Sequence, residues 1–191
     1  YLMAAWLAYD IKNKAVRVAL YAAILIPSLA HAYYLVPHYN AFYKNDNRGR
    51  LDGTAWLTND KPVGDMLQYL KTAPPGTVLE HVAADNFTPG AALSSFALKP
   101  VYMGWPMHLF TWGKSWGTIR QRKEDMLAFY KGQMPDPDNW LIRNEIRYVV
   151  WSPRETDYAA FNKLRLQLAR DYYWKDFNGN PNAPVGIWVR R

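Results

Sequence analysis

Residues 15–36 read AVRVALYAAILIPSLAHAYYLV, and the chain that follows them is of a different character. About 22 residues at ~1.5 Å rise give roughly 33 Å of helix, enough to cross a hydrocarbon layer of about 30 Å. The one formal charge is Arg17, close enough to an end for its guanidinium to snorkel to the interface. Tyr33 and Tyr34 lie near the other end, where aromatic rings favour the headgroup layer. Pro27 falls mid-segment, and spanning helices tolerate such a residue where neighbouring groups satisfy the freed carbonyl. The stretch is predicted to be a transmembrane helix. A cleaved signal peptide has a shorter apolar region and a different upstream flank. A buried helix of a soluble protein is the remaining alternative.

Upstream, residues 1–9 (YLMAAWLAY) are apolar but too short to span. They are expected to be the end of a preceding transmembrane helix, the chain being part of a larger polypeptide. Lys12, Lys14 and Arg17 flank the connection between the two segments. The positive-inside rule puts that connection in the cytoplasm and everything after about residue 37 on the periplasmic or extracellular side. His31 lies in the span, where an imidazole is either a functional group or a neutral interfacial one.

Downstream, the expectation is an extracytoplasmic α/β domain over residues 45–191, with a small mixed sheet flanked by helices. Residues 45–50 (NDNRGR) read as a linker. Asn59 or Asp60 is placed to cap a helix with Pro62 in its first turn, and Val63, Met66, Leu67 and Leu70 repeat on one helical face. The proline–glycine run at 73–76 stops it. A strand is expected over 77–82, a short helix from Pro89 and Gly90 to Phe96, and a short strand at 100–103. A longer helix follows over about 115–131. Asp138 would cap a short helix at 138–145, and IRYVVW at 146–151 reads as the clearest strand. A helix at 155–170, with Tyr158, Phe161, Leu164 and Leu168 on one side, precedes two strands near 172–177 and 185–189 that form a hairpin across Asn178 and Gly179.

The chain carries a formal charge of +7, but its basic residues are scattered. The only dense cluster, RQRK at 120–123, is followed at once by Glu124 and Asp125, as on a solvated helix face. Nucleic acid is not an expected partner. The absence of cysteine excludes disulfides, thiolate metal sites and a cysteine nucleophile. His31, His38, His81 and His108 show no metal-ligand spacing, and no phosphate loop, HExxH or GxSxG motif occurs. No metal or cofactor is expected.

The most unusual segment is GWPMHLFTWGKSWG at 104–117. Trp105, His108, Trp112 and Trp116 suit stacking on a sugar or seating at a lipid–water interface, and they equally suit packing of a loop on its own domain. Glu80 and Asp85 lie in and just beyond the expected strand at 77–82. Carboxylates there are ligand contacts of an open α/β sheet or caps of the next turn. Asp52, before Gly53, reads as a turn residue.

LDGTAWL at 51–57, VLEHV at 78–82, PVYMGWPMHLFTWG at 100–113, RYVVW at 147–151 and the closing VGIWVR together resemble the outer C-terminal region of the YYY-type polytopic membrane proteins. That family is similar to the membrane-embedded GT-C glycosyltransferases. The resemblance covers about residues 50–191 and the spanning helix before them. The family tends to show His-Glu where this chain has His108-Leu109, and an aromatic-plus-Arg pattern where it has Phe87 and then Ala91-Ala92. The resemblance implies transfer of a sugar from a polyprenyl-phosphate donor at the outer membrane face. It puts the catalytic acid in an early outer loop that this sequence does not include, leaving this domain to shape the substrate cleft. The implied partners are membrane lipid and a polyprenyl-linked sugar. A non-catalytic accessory subunit, docking on other membrane subunits through its outer domain, is the competing expectation, and a stand-alone module for cell-wall sugars is a third.

Overall fold

A computed structural model describes residues 11–42, 54–82, 90–153, 155 and 157–191. The expected helix end at 1–9, the linker at 45–50, Asp52, Asp85 and Phe87 lie outside the described residues. The chain divides into two compact units, Tyr1–Gly53 and Thr54–Arg191.

The first unit contains one long helix, α1 (Lys14–Phe42), which passes through both Pro27 and Pro37. Asn13 starts it, its Oδ1 accepting the backbone N–H groups of Ala15 at 3.0 Å and Val16 at 3.4 Å. Apolar side chains along it, such as Val18, Ile26 and Leu29, are more than 60% exposed. Residues Lys14–Pro37 are long and apolar enough to cross a membrane. This helix is compatible with membrane anchoring or with a signal sequence.

The second unit is mixed α/β. Its helices are α2 (Ala55–Thr58), α3 (Lys61–Thr72), α4 (Ala92–Phe96), α5 (Pro106–Thr111), α6 (Trp116–Tyr130), α7 (Pro137–Arg143) and α8 (Tyr158–Gln167). Its strands are β1 (Thr77–Leu79), β2 (Ile146–Trp151), β3 (Tyr172–Asp176) and β4 (Gly186–Arg190), arranged in the order β1-β2-β4-β3. β1 and β2 are parallel, as the long helical crossover between them requires, and the other two pairings are antiparallel.

Each face of the sheet carries its own core. On one side Leu57, Met66, Leu67 and Leu70 from α2 and α3 meet Tyr148, Val150 and Ile187. On the other, Ile119, Met126 and Phe129 from α6 and Leu164 from α8 meet Val149, Trp151 and Trp188. Among the described residues, both clusters draw on positions from 57 onward. Much of the aromatic content is spent here. Trp188 lies 4.7 Å from Trp174, 5.2 Å from Phe161 and 5.7 Å from Trp151, ring centre to ring centre. Gly186 makes room for this slab, since a Cβ there would fall 2.6 Å from the Trp174 ring and against the Lys175 carbonyl.

Local chemistry fixes the element ends. Asp60 caps α3, Ser115 caps α6 and Asp157 caps α8, each side chain accepting a first-turn N–H. The expected strand over 77–82 ends at Leu79, because Glu80 turns its carboxylate toward α4. The expected strand at 100–103 is a single parallel bridge between Val78 and Val101. The cap of α7 is Asp136, not Asp138: Asp136 accepts the Asn139 N–H at 3.2 Å and Pro137 takes the first helical position. Asp138 is instead buried in the first turn and paired with Arg170 at 2.7 Å.

Candidate functional site

The segment 104–117 folds into a helix–turn–helix elbow. Pro106 opens α5 with no backbone donor to lose, and Gly113 (φ 86°) closes it, donating its N–H to the Phe110 carbonyl. Ser115 then caps α6. Trp105, His108 and Trp112 are three and four residues apart and so fall on one side of this turn. The Trp105 and His108 rings meet edge to face at 4.9 Å, and His108 and Trp112 lie 5.8 Å apart. These three side chains, with Gly90, Ala91 and Ser95, line a cavity of about 190 Å³. Val101, Gly104 and Leu109 complete its lining. Trp112 is 76% exposed at the rim. The Trp105 Nε1 is buried and has no hydrogen-bond partner among the described residues.

The other proposed site residues are placed elsewhere. Trp116 stacks on Phe110 at 4.7 Å and does not line the cavity. Glu80 is a cap: its two carboxylate oxygens accept the N–H groups of Leu93 and Ser94 and the Ser94 hydroxyl at 3.0–3.1 Å. Burial pushes its pKa up, and the donors of Ser94 and Leu93 oppose that rise. Asp85 lies outside the described residues.

One pairing had no signal in the sequence. His81 Nδ1 sits 3.2 Å from Glu155 Oε1, across 74 positions of chain. Glu155 Oε2 accepts the Ser152 hydroxyl at 2.6 Å, and the imidazole stacks on Tyr130 at 5.1 Å. Tyr130 Oη in turn lies within reach of the carbonyls of Leu79 (3.2 Å) and Val150 (2.8 Å), tying together the ends of β1 and β2. The contact with Glu155 and the stack on Tyr130 together set the orientation of the ring. Among the described residues no three His, Asp or Glu side chains come together to hold a metal ion.

No family model, no curated protein and no solved structure matches this chain.

Proposed function

We propose that this chain is the C-terminal part of an integral membrane protein resembling the GT-C glycosyltransferases, with a domain that shapes a cleft for a sugar or its polyprenyl-linked donor. The observation that carries this reading is the cavity between Trp105, His108 and Trp112. Indole and imidazole rings lining a largely apolar cavity suit the C–H face of a pyranose. The apolar helix α1 would hold the domain at the lipid surface from which such a donor is drawn. Lys12, Lys14 and Arg17 favour a periplasmic or extracellular position for it. In this reading the cleft orients the substrate and no described residue is assigned the catalytic role.

The test is a titration of the full chain in nonionic detergent with a short-chain polyprenyl-phosphate hexose, followed by calorimetry. Saturable binding weakened about fivefold to tenfold by Trp112→Ala is the expected result, from the loss of roughly 1 kcal/mol of stacking. Absence of binding, or binding that Trp112→Ala and His108→Ala leave unchanged, would remove the proposal.

A second reading, a non-catalytic accessory subunit, is favoured by a different surface. Trp56 and Phe96 meet edge to face at 6.5 Å and are both exposed, and Leu98 nearby in the chain is 92% exposed at a positive φ. Co-purification with other membrane subunits that Leu98→Asp and Trp56→Ser abolish, together with no hexose binding by the unaltered chain, would select it.

A further inference from the structure

At the end of the sheet away from Glu80 and Glu155, a polar cavity of about 370 Å³ opens between Pro75, Gly76, Glu145, Arg147, Arg190 and Arg191. Three of its six lining residues are arginines and one is acidic. Arg147 is brought there by the backbone. The β1–β2 register runs from Thr77 opposite Ile146 to Val78 opposite Tyr148, so Arg147 is the residue the pairing skips. Such a bulge re-aims its side chain out of the normal alternation. The Arg147 stem then lies against Gly76, where a Cβ would fall 2.6 Å from its Cδ. Its Nε is buried and has no hydrogen-bond partner among the described residues.

Among the described residues, none of these three arginines forms an ion pair. Lys99 packs nearby with its ammonium on the carbonyls of Ala73 and Pro74 at 2.9 Å, and Arg147 and Lys99 both lie against the Tyr148 ring. Burial, and then Arg147, hold the Lys99 pKa below the usual lysine value. The nearby acids are Glu145 at the rim and Asp171, which feels Arg190 but is engaged by Arg170 at 2.7 Å. A cavity rich in guanidinium donors, one of them buried and unspent, matches the oxygens of a phosphate group, which arginine binds through paired hydrogen bonds.

We propose that Arg147, Arg190 and Arg191 form a binding site for a phosphate-bearing anion. The inference is independent of the glycosyl reading and uses none of its residues. The phosphate belongs either to a dissolved molecule or to a lipid headgroup, and the two sources separate experimentally.

The full chain in nonionic detergent is titrated with inorganic pyrophosphate by calorimetry, and the titration is repeated with phosphatidylglycerol or phosphatidylcholine added to the micelles. Saturable binding that weakens with salt, and falls about tenfold in Arg147→Met, is expected from the loss of one charge-assisted contact. Arg191→Gln, at an exposed position with no core to disturb, should weaken it in the same direction. Gly76→Ala should weaken it with no change of charge, because the added Cβ displaces the Arg147 stem. Competition by phosphatidylglycerol alone assigns the site to a lipid headgroup, and its absence assigns it to a dissolved phosphate. No saturable pyrophosphate binding and no phosphatidylglycerol effect overturns the proposal, as does binding that both Arg147→Met and Arg191→Gln leave intact.

Discussion

Glu80 holds Ser94 through two hydrogen bonds of 3.0 Å, one from the backbone N–H and one from the hydroxyl. The helix they belong to, Ala92–Phe96, has Ala91 at its own cap position, with φ 59° and no side-chain acceptor to offer. Its first-turn donors are satisfied instead by a carboxylate arriving from the end of β1. Glu80 thus caps this helix from outside it.

Replacing Glu80 by Ala therefore leaves buried donors without an acceptor. Each such group costs about 1–3 kcal/mol, so Glu80→Ala should destabilise the domain by about 3 kcal/mol. Glu80→Gln keeps the shape and one acceptor oxygen and should cost less. Denaturant unfolding followed by tryptophan fluorescence measures both. A loss below about 0.5 kcal/mol for Glu80→Ala would show that water replaces the carboxylate at no penalty.

Gly186 offers a contrast with Gly104 that separates packing from backbone effects. An added methyl at Gly186 meets the Trp174 ring and the Lys175 carbonyl, whereas at Gly104 nothing lies within 4 Å. Overpacking typically costs about 1–3 kcal/mol, and here one obstacle is backbone, which yields least. Gly186→Ala should lower the melting temperature by several degrees or abolish folding, and Gly104→Ala should leave it nearly unchanged. Equal melting temperatures for the two variants would contradict the packing of the Trp174–Trp188 slab.

These positions also show what a linear reading reaches. The α3 face of Val63, Met66, Leu67 and Leu70 and the strand at 146–151 were legible, because apolar periodicity and β-branched runs are local signals. So was the longer helix expected over about 115–131, which runs from Trp116 to Tyr130. The reading of 77–82 as one strand failed at Glu80, whose alternating context looks strand-like while its carboxylate is committed to a helix 13 residues on. Asp136 and Asp138 both precede an apolar run, and Pro137 decides between them because only one choice puts proline at the first helical position. In the candidate site, Trp105, His108 and Trp112 meet because their spacing matches a helical turn, while Trp116 is turned away onto Phe110. The pairing of His81 with Glu155 and the skipped register at Arg147 come from tertiary assembly and leave no local trace.

Asp138 gives a prediction in pH. Burial, and then the neighbouring Asp171, push its pKa up to about 6, with Arg170 pulling the other way. Unfolded, it titrates near 4. The folded state therefore holds the proton more tightly than the unfolded state between those values, and stability falls as pH rises through the interval. Relative to Asp138→Asn, which does not titrate, the native domain should lose stability from about pH 4 to pH 6 and level off above it. Parallel stability profiles for the two proteins across that range would mean that the Arg170 contact cancels the burial.

The last prediction concerns the solvent around α1. Leu25 and Ile26 sit near the middle of Lys14–Pro37 and are 56% and 63% exposed. In water a helix presenting such a surface along its length would self-associate. In lipid the same surface is matched, and a charge placed there is penalised by about 2.5–3.5 kcal/mol. Leu25→Lys should therefore shift the full chain from the carbonate-resistant membrane fraction toward the soluble fraction. Val16→Lys, close enough to the end for its ammonium to reach the interface, should leave the partition nearly intact. A position-independent response would show that α1 is not held by a bilayer. A product shortened by removal of α1 would assign this helix to a signal sequence instead.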